Sequence, residues 1–121
     1  MKSIAFGLPV GKGKAADVKA FIEELVGDRH DHFHTSRKDR GIHRMSVYHQ
    51  TFPVEQFIVY IEADDLATAM RDNDPEHHFE SYFAQRYEEL SGVHPDKVTH
   101  EIAKLVMDWH HEKGARKTTH H

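Results

Sequence analysis

Apolar positions along this chain change their spacing several times, and each change marks an element. In "SIAFGLPV", Ile4, Phe6 and Leu8 alternate with smaller residues, the period of a strand with one buried face. "VGKGK" is a turn. From Ala15 the period becomes helical, with Val18, Ile22, Leu25, Val26 and Phe33 on one side. Gly27 weakens this helix, but the stripe runs past it, so a single helix is predicted up to Gly41. Arg37, Lys38 and Arg40 there suit its negative end.

Alternation returns in "IHRMSVYHQTF", where Met45, Val47 and His49 oppose Arg44, Ser46 and Tyr48. After a "PVE" turn, Phe57, Val59 and Ile61 form one face of "QFIVYIEA", so the two strands predict a hairpin. A short helix follows in "DDLATAMRDND", with Asp64 and Asp65 placed as caps. A longer one fits "PEHHFESYFAQRYEELSG", with Pro75 near its start and Gly92 past its end. Residues 98–109 satisfy two periods at once: Val98, Ile102, Leu105, Val106 and Trp109 fit a helix, and Ala103, Leu105, Met107 and Trp109 fit a strand. The order is β-α-β-β-α followed by a strand or helix. A closing strand would give an α+β, ferredoxin-like βαββαβ arrangement, an antiparallel sheet with helices on one face. The opposite face would carry Ser46, Tyr48, Ile58 and Tyr60, which is too apolar to leave wet, so a second copy's sheet is the expected cover.

The strings "FGLPVGKGKAADVKAFIEEL", "YIEADD" and "FESYF" resemble small bacterial proteins of the dimeric α/β-barrel superfamily, in an uncharacterised branch. The resemblance spans most of residues 2–109 and rests on short, mainly structural motifs. It implies that "KLVMDW" is the closing strand and that the protein is a homodimer. The superfamily hosts cofactor-free monooxygenases, polyketide cyclases, lactone isomerases, and haem-binding or haem-degrading enzymes, so the fold by itself selects no function. No catalytic motif of those groups matches residue by residue.

Composition narrows the classes. A chain of 121 residues suits one domain, expected over 1–109 with a polar tail over 110–121. No apolar run approaches the roughly 20 residues of a membrane span, and the N-terminus lacks a signal-peptide apolar region. The absence of cysteine removes disulfides and thiolate chemistry and fits a cytoplasmic protein. With a formal charge of −4 and scattered lysines and arginines, no basic face for nucleic acid is expected. The thirteen histidines carry the net charge through zero when several protonate near pH 6, so solubility should be poor in acid.

Four of those histidines lie in "GDRHDHFHTSRKDRGIHR", residues 27–44. Helical residues two apart point roughly 200° away from each other, so His30, His32 and His34 cannot share a metal, whereas His30 and His34, one turn apart, can. The stretch also lacks the glutamate of a His-Glu-x-x-His site. Most of it reads as a solvated face. The apolar stripe points elsewhere, from Leu25 through Arg29, His32 and Ser36, toward an expected pocket between helix and sheet. His49 enters from the sheet, and His78, Tyr82 and Arg86 stack four residues apart on the second helix. There His49, His78 and Tyr82 are the catalytic candidates, as acid/base groups working near neutral pH. Arg29, His32, Ser36, Arg86 and Tyr60 are the ligand-binding candidates, the arginines holding an anionic or enolate oxygen. Neither a phosphate-binding glycine loop nor a Gly-x-Ser-x-Gly elbow is present.

The leading expectation is an enzyme without a tightly held cofactor, transforming a small organic ligand as a cyclase, isomerase, lyase or cofactor-free monooxygenase. The alternatives are a histidine-ligated metal or haem protein, with His30 and His34 as the candidate metal ligands, and a non-catalytic small-ligand binding or assembly module.

Overall fold

Three strands carry the alternation into a single antiparallel sheet in the computed structural model, which describes residues 1–112 and 114–117. The elements in chain order are β1 (Lys2–Pro9), α1 (Ala15–Val26), α2 (His30–Asp39), β2 (Ile42–Gln50) and β3 (Gln56–Ala63). Then come α3 (Leu66–Ala69), α4 (His78–Ser91), a 3-10 turn at Pro95–Lys97, β4 (Met107–His110) and β5 (Gly114–Lys117). The sheet order is β1-β3-β2, with β3 central. Its register sets Phe6 and Val47 beside Val59, and Leu8 and His49 beside Phe57. Ile4, Phe57, Val59 and Ile61 are buried on the face that α1, α2 and α4 cover, so the period-two readings of β1 and β3 hold, and the register sets Met45, Val47 and His49 of β2 on that same face. A shift of register between Ile42 and Arg44 turns His43 out to solvent and brings Met45 onto the inner face.

The single long helix is a correction. At Gly27 the chain leaves helical geometry, with φ −110 and ψ −100, and α2 begins three residues later. Glycine is required because a Cβ there would sit 2.9 Å from the Glu23 carbonyl oxygen. The break rotates α2 relative to α1, so residues extrapolated along one continuous stripe do not stay on one face. Gly41, at φ 71, ends the helical stretch as expected. Asp65 caps α3, its carboxylate accepting from Thr68 N–H at 3.0 Å. For α4 the cap is His77, whose Nδ1 accepts from Glu80 N–H at 3.3 Å.

The closing strand is the second difference. Val98 is buried and Ala103 packs on the sheet core, but β4 pairs with β5 and not with β1. Pairing across a short turn closes a far smaller loop than returning to a strand about a hundred residues earlier. The hairpin β4–β5 spans the boundary expected between domain and tail at residue 109; residues 113 and 118–121 of that tail lie outside the described residues. The structure is thus α+β with helices on one face of a three-stranded antiparallel sheet. Among the described residues, no helix is long and apolar enough to cross a membrane.

Two apolar clusters form the interior. One is sheet-based: Ile4, Ile42, Val59, Ile61 and Ala63, closed by Leu66 and Ala69 of α3. The other joins the helices: Phe21 and Leu25 of α1 with Phe79, Phe83 and Leu90 of α4.

Candidate ligand cavity

Between those clusters lies a cavity of about 250 Å³. Leu8, Met45, Val47, Phe57 and Val59 form its floor, and Val18, Phe21, Leu25, Phe33, Phe83 and Leu90 its roof. The amphipathic halves of sheet and helices meet here without filling the space, which is unusual because protein interiors pack to crystal-like density. Tyr87 and Ser91 of α4 contribute the polar side chains of its wall. Burial pushes the Tyr87 phenol well above its ordinary range, and among the described residues its hydroxyl has no hydrogen-bond partner.

A smaller chamber of about 70 Å³ adjoins this one, sharing Met45, Val59, Phe83 and Tyr87. Its remaining walls set Arg37, Arg40, Arg71 and Asn73 beside apolar residues such as Phe6, Ile61 and Met70. Arg40 is 4% exposed and donates to the Ala69 and Arg71 carbonyls at 3.2 and 2.6 Å, to Asn73 Oδ1 at 3.2 Å and to Glu80 at 3.0 Å. It ties the loop after α3 to α4. Arg37 is differently placed. It donates to Ser36 Oγ at 3.0 Å, and its guanidinium carbon lies 5.3 Å from the Phe33 ring centroid and 5.2 Å from that of Phe83. Burial, and then the neighbouring Arg40, lower its pKa to about 10, so it remains a cation at neutral pH.

The residues expected to converge do not meet in either chamber. Arg29 and Tyr82 do come together, but on the outer surface of the helices. The Arg29 guanidinium stacks 3.9 Å from the Tyr82 ring centroid and pairs with Glu24, which also accepts the Tyr82 hydroxyl at 2.6 Å. The hydrogen bonds from Tyr82 and then Arg29 hold the Glu24 carboxyl below its ordinary range. Arg86 borders this cluster across Phe21, 5.6 Å from its ring, and pairs with Glu89. His32 is exposed beside Phe79, and His78 is exposed at the first turn of α4. Ser36 is buried, as the acceptor for Arg37. Tyr60 faces the other side of the sheet and donates to Glu62 at 2.5 Å, a bond that raises its pKa. The break at Gly27 is the physical cause of the scatter on the helical side: Arg29 and His32 follow it and swing off the inner face.

His49 alone of the set stays near the cavity. Its ring stacks on Phe57, a wall residue, at 4.7 Å and 14°, and its Nε2 lies 2.9 Å from a Glu55 carboxylate oxygen. His30 and His34 stack on each other at 5.6 Å in solvent, and among the described residues no third histidine or carboxylate joins them as a metal-binding group. Arg37, Arg40, Phe83 and Tyr87 are the residues the sequence reading missed. The signal was present: Arg37 and Arg40 lie four and seven residues after Phe33, and Phe79, Phe83, Tyr87 and Leu90 are one helical stripe.

Compared with known protein families, curated proteins and solved structures, the chain has no match.

Proposed function

We propose that this protein binds a small, largely apolar organic molecule in the cavity between sheet and helices. The observation that carries the reading is the unfilled space of about 250 Å³ separating two otherwise well-formed apolar clusters. Leaving such space empty costs stability, whereas a ligand that fills it recovers the contacts. Binding will therefore appear as thermal stabilisation, about 2.7 kcal/mol when the ligand is present at 100 times its Kd. Val47 lines the floor and is 37% exposed, so Val47→Trp places an indole in the cavity. An apolar compound found by thermal-shift screening should lose at least roughly tenfold in affinity for that variant, a penalty of about 1.4 kcal/mol. Unchanged affinity would put the ligand elsewhere.

A second reading, catalysis on the bound molecule, is favoured by His49. A histidine held by a carboxylate and stacked on a cavity wall has the arrangement of a general base. On that reading the protein is a small-molecule-transforming enzyme of the dimeric α/β-barrel type, with β1, β3 and β2 as three strands of a ferredoxin-like sheet.

The same reading assigns a second copy of the chain to the outer sheet face. Tyr48 there is 61% exposed, and Ile58 and Tyr60 are half-buried. Nearby, residues 103–107 run beside Ser3, Ala5 and Tyr60, and Leu105, Val106, Met107 and Trp109 are exposed. A self-complementary dimer covers both apolar features at once. Light scattering should give twice the 14.1 kDa chain mass at micromolar concentration, and Tyr60→Glu should shift it toward monomer or aggregate. A wild-type mass near 14.1 kDa would refute the pairing.

A further inference from the structure

Arg37 is expensive where it stands. Its Nε is buried without a hydrogen-bond partner, and so is that of Arg40 beside it. Arg40 has a carboxylate of its own, since Glu80 lies 3.0 Å away, and Glu80 also accepts from the Asp74 N–H at 3.0 Å. Arg37 has only the neutral Ser36 hydroxyl among the described residues. Glu80 attracts it only through space, being bonded directly to Arg40, and a desolvated guanidinium without a directly paired anion is a costly arrangement for a fold to keep. Its guanidinium rests over two neighbouring phenyl rings, Phe33 and Phe83, which are apolar neighbours and supply no hydrogen-bond acceptor. It stands on the wall of the 70 Å³ chamber, which meets the apolar cavity along Met45, Val59, Phe83 and Tyr87.

We propose that the two chambers form one amphipathic site for a small monocarboxylic acid with an apolar body. The carboxylate pairs with Arg37 and accepts from the Tyr87 hydroxyl, which has no partner among the described residues, and the hydrocarbon lies in the larger cavity. A carboxylate fits on three grounds. Its two oxygens match the fork of a guanidinium, its small planar head suits the narrow chamber, and its charge offsets the surplus of cations there, where among the described residues only Arg40 of the three arginines has a carboxylate at salt-bridge distance. The chamber, at about 70 Å³, holds a small head and not a bulky one. This inference rests on the cavity being a ligand site, and the experiment separates the two.

A neutral fluorescent probe, N-phenyl-1-naphthylamine, is bound to the full chain and displaced by decanoate, by decanol or by decyl phosphate. Decanoate should compete at least about tenfold better than decanol, since a charge-assisted hydrogen bond is worth roughly one factor of ten or more. In Arg37→Met that preference should vanish while decanol still binds. Ligand-free Arg37→Met should melt at or above the wild-type temperature, because it removes an unpaired buried charge. Equal competition by decanoate and decanol in the wild type would overturn the carboxylate and leave the cavity reading standing. Tighter binding of decyl phosphate than of decanoate would overturn the choice of anion. Failure of the probe and of all three competitors to bind would overturn both readings. A lower melting temperature for ligand-free Arg37→Met would make Arg37 a structural residue; should that variant not fold, the comparison of decanoate with decanol in the wild type still decides.

Discussion

Arg40→Ala will cost this protein about 3–5 kcal/mol, a large part of a typical domain's stability. The side chain is 4% exposed, and it supplies donors to the carbonyls of Ala69, Arg71 and Asp72, to Asn73 and to Glu80. Truncation leaves those acceptors facing one another, and it leaves the Glu80 carboxylate, itself only 12% exposed, without its cation. The penalty is mainly that of orphaned buried groups and not the net worth of the pair. Urea unfolding measures it directly, as a fall in midpoint at constant slope. Arg40→Met combined with Glu80→Met should recover part of the loss, because the double replacement removes both charges together. A single-variant loss below about 1 kcal/mol would show that residues 69–73 are held by something other than Arg40.

Phe83→Ala should be comparably severe, at about 3–5 kcal/mol. Phe83 is 7% exposed, and its ring lies 5.9 Å from that of Phe21, 6.5 Å from Phe33, 6.1 Å from Phe79 and 5.9 Å from Tyr87. It thus packs against four aromatic rings of the helical cluster, and it also lines both chambers. Its removal therefore merges and enlarges an existing void, the situation in which surrounding atoms collapse least. An apolar compound bulky enough to occupy the merged space should stabilise the variant more than the wild type in a thermal melt. A loss near 1 kcal/mol with no gain in ligand response would mean that the helices close over the gap.

Local patterns set much of the fold. Ile4, Phe6, Leu8, Phe57, Val59 and Ile61 alternate strictly, and a pleated strand leaves such residues only one arrangement, so the inner sheet face could be read directly. Caps and stops were legible for the same reason: Asp65 bonds three residues on, and Gly41 and Gly92 occupy positive φ. The candidate site was far less legible. Of its residues, His78, Tyr82 and Arg86 depend on which face α4 turns inward. Two others, Arg29 and His32, are displaced at Gly27, where a local contact between a would-be Cβ and the Glu23 carbonyl redirects the chain. Periodicity carries no information across such a break, so Arg29 and His32 were assigned to a pocket they do not border.

What the sequence determined by itself is the three sheet strands and their inner faces, the stops at Gly41 and Gly92, and the absence of thiol chemistry, because these depend on neighbours within a few positions. Tertiary structure alone decided three things. It left a cavity between the sheet cluster and the helix cluster, it buried Arg40 and the Nε of Arg37 at the end of α2, and it paired β4 with β5. Each is a competition between surfaces distant in sequence. A cavity is the difference between two packed faces, and the partner of a buried charge is chosen by which loop folds over it. No run of residues read on its own contains either quantity.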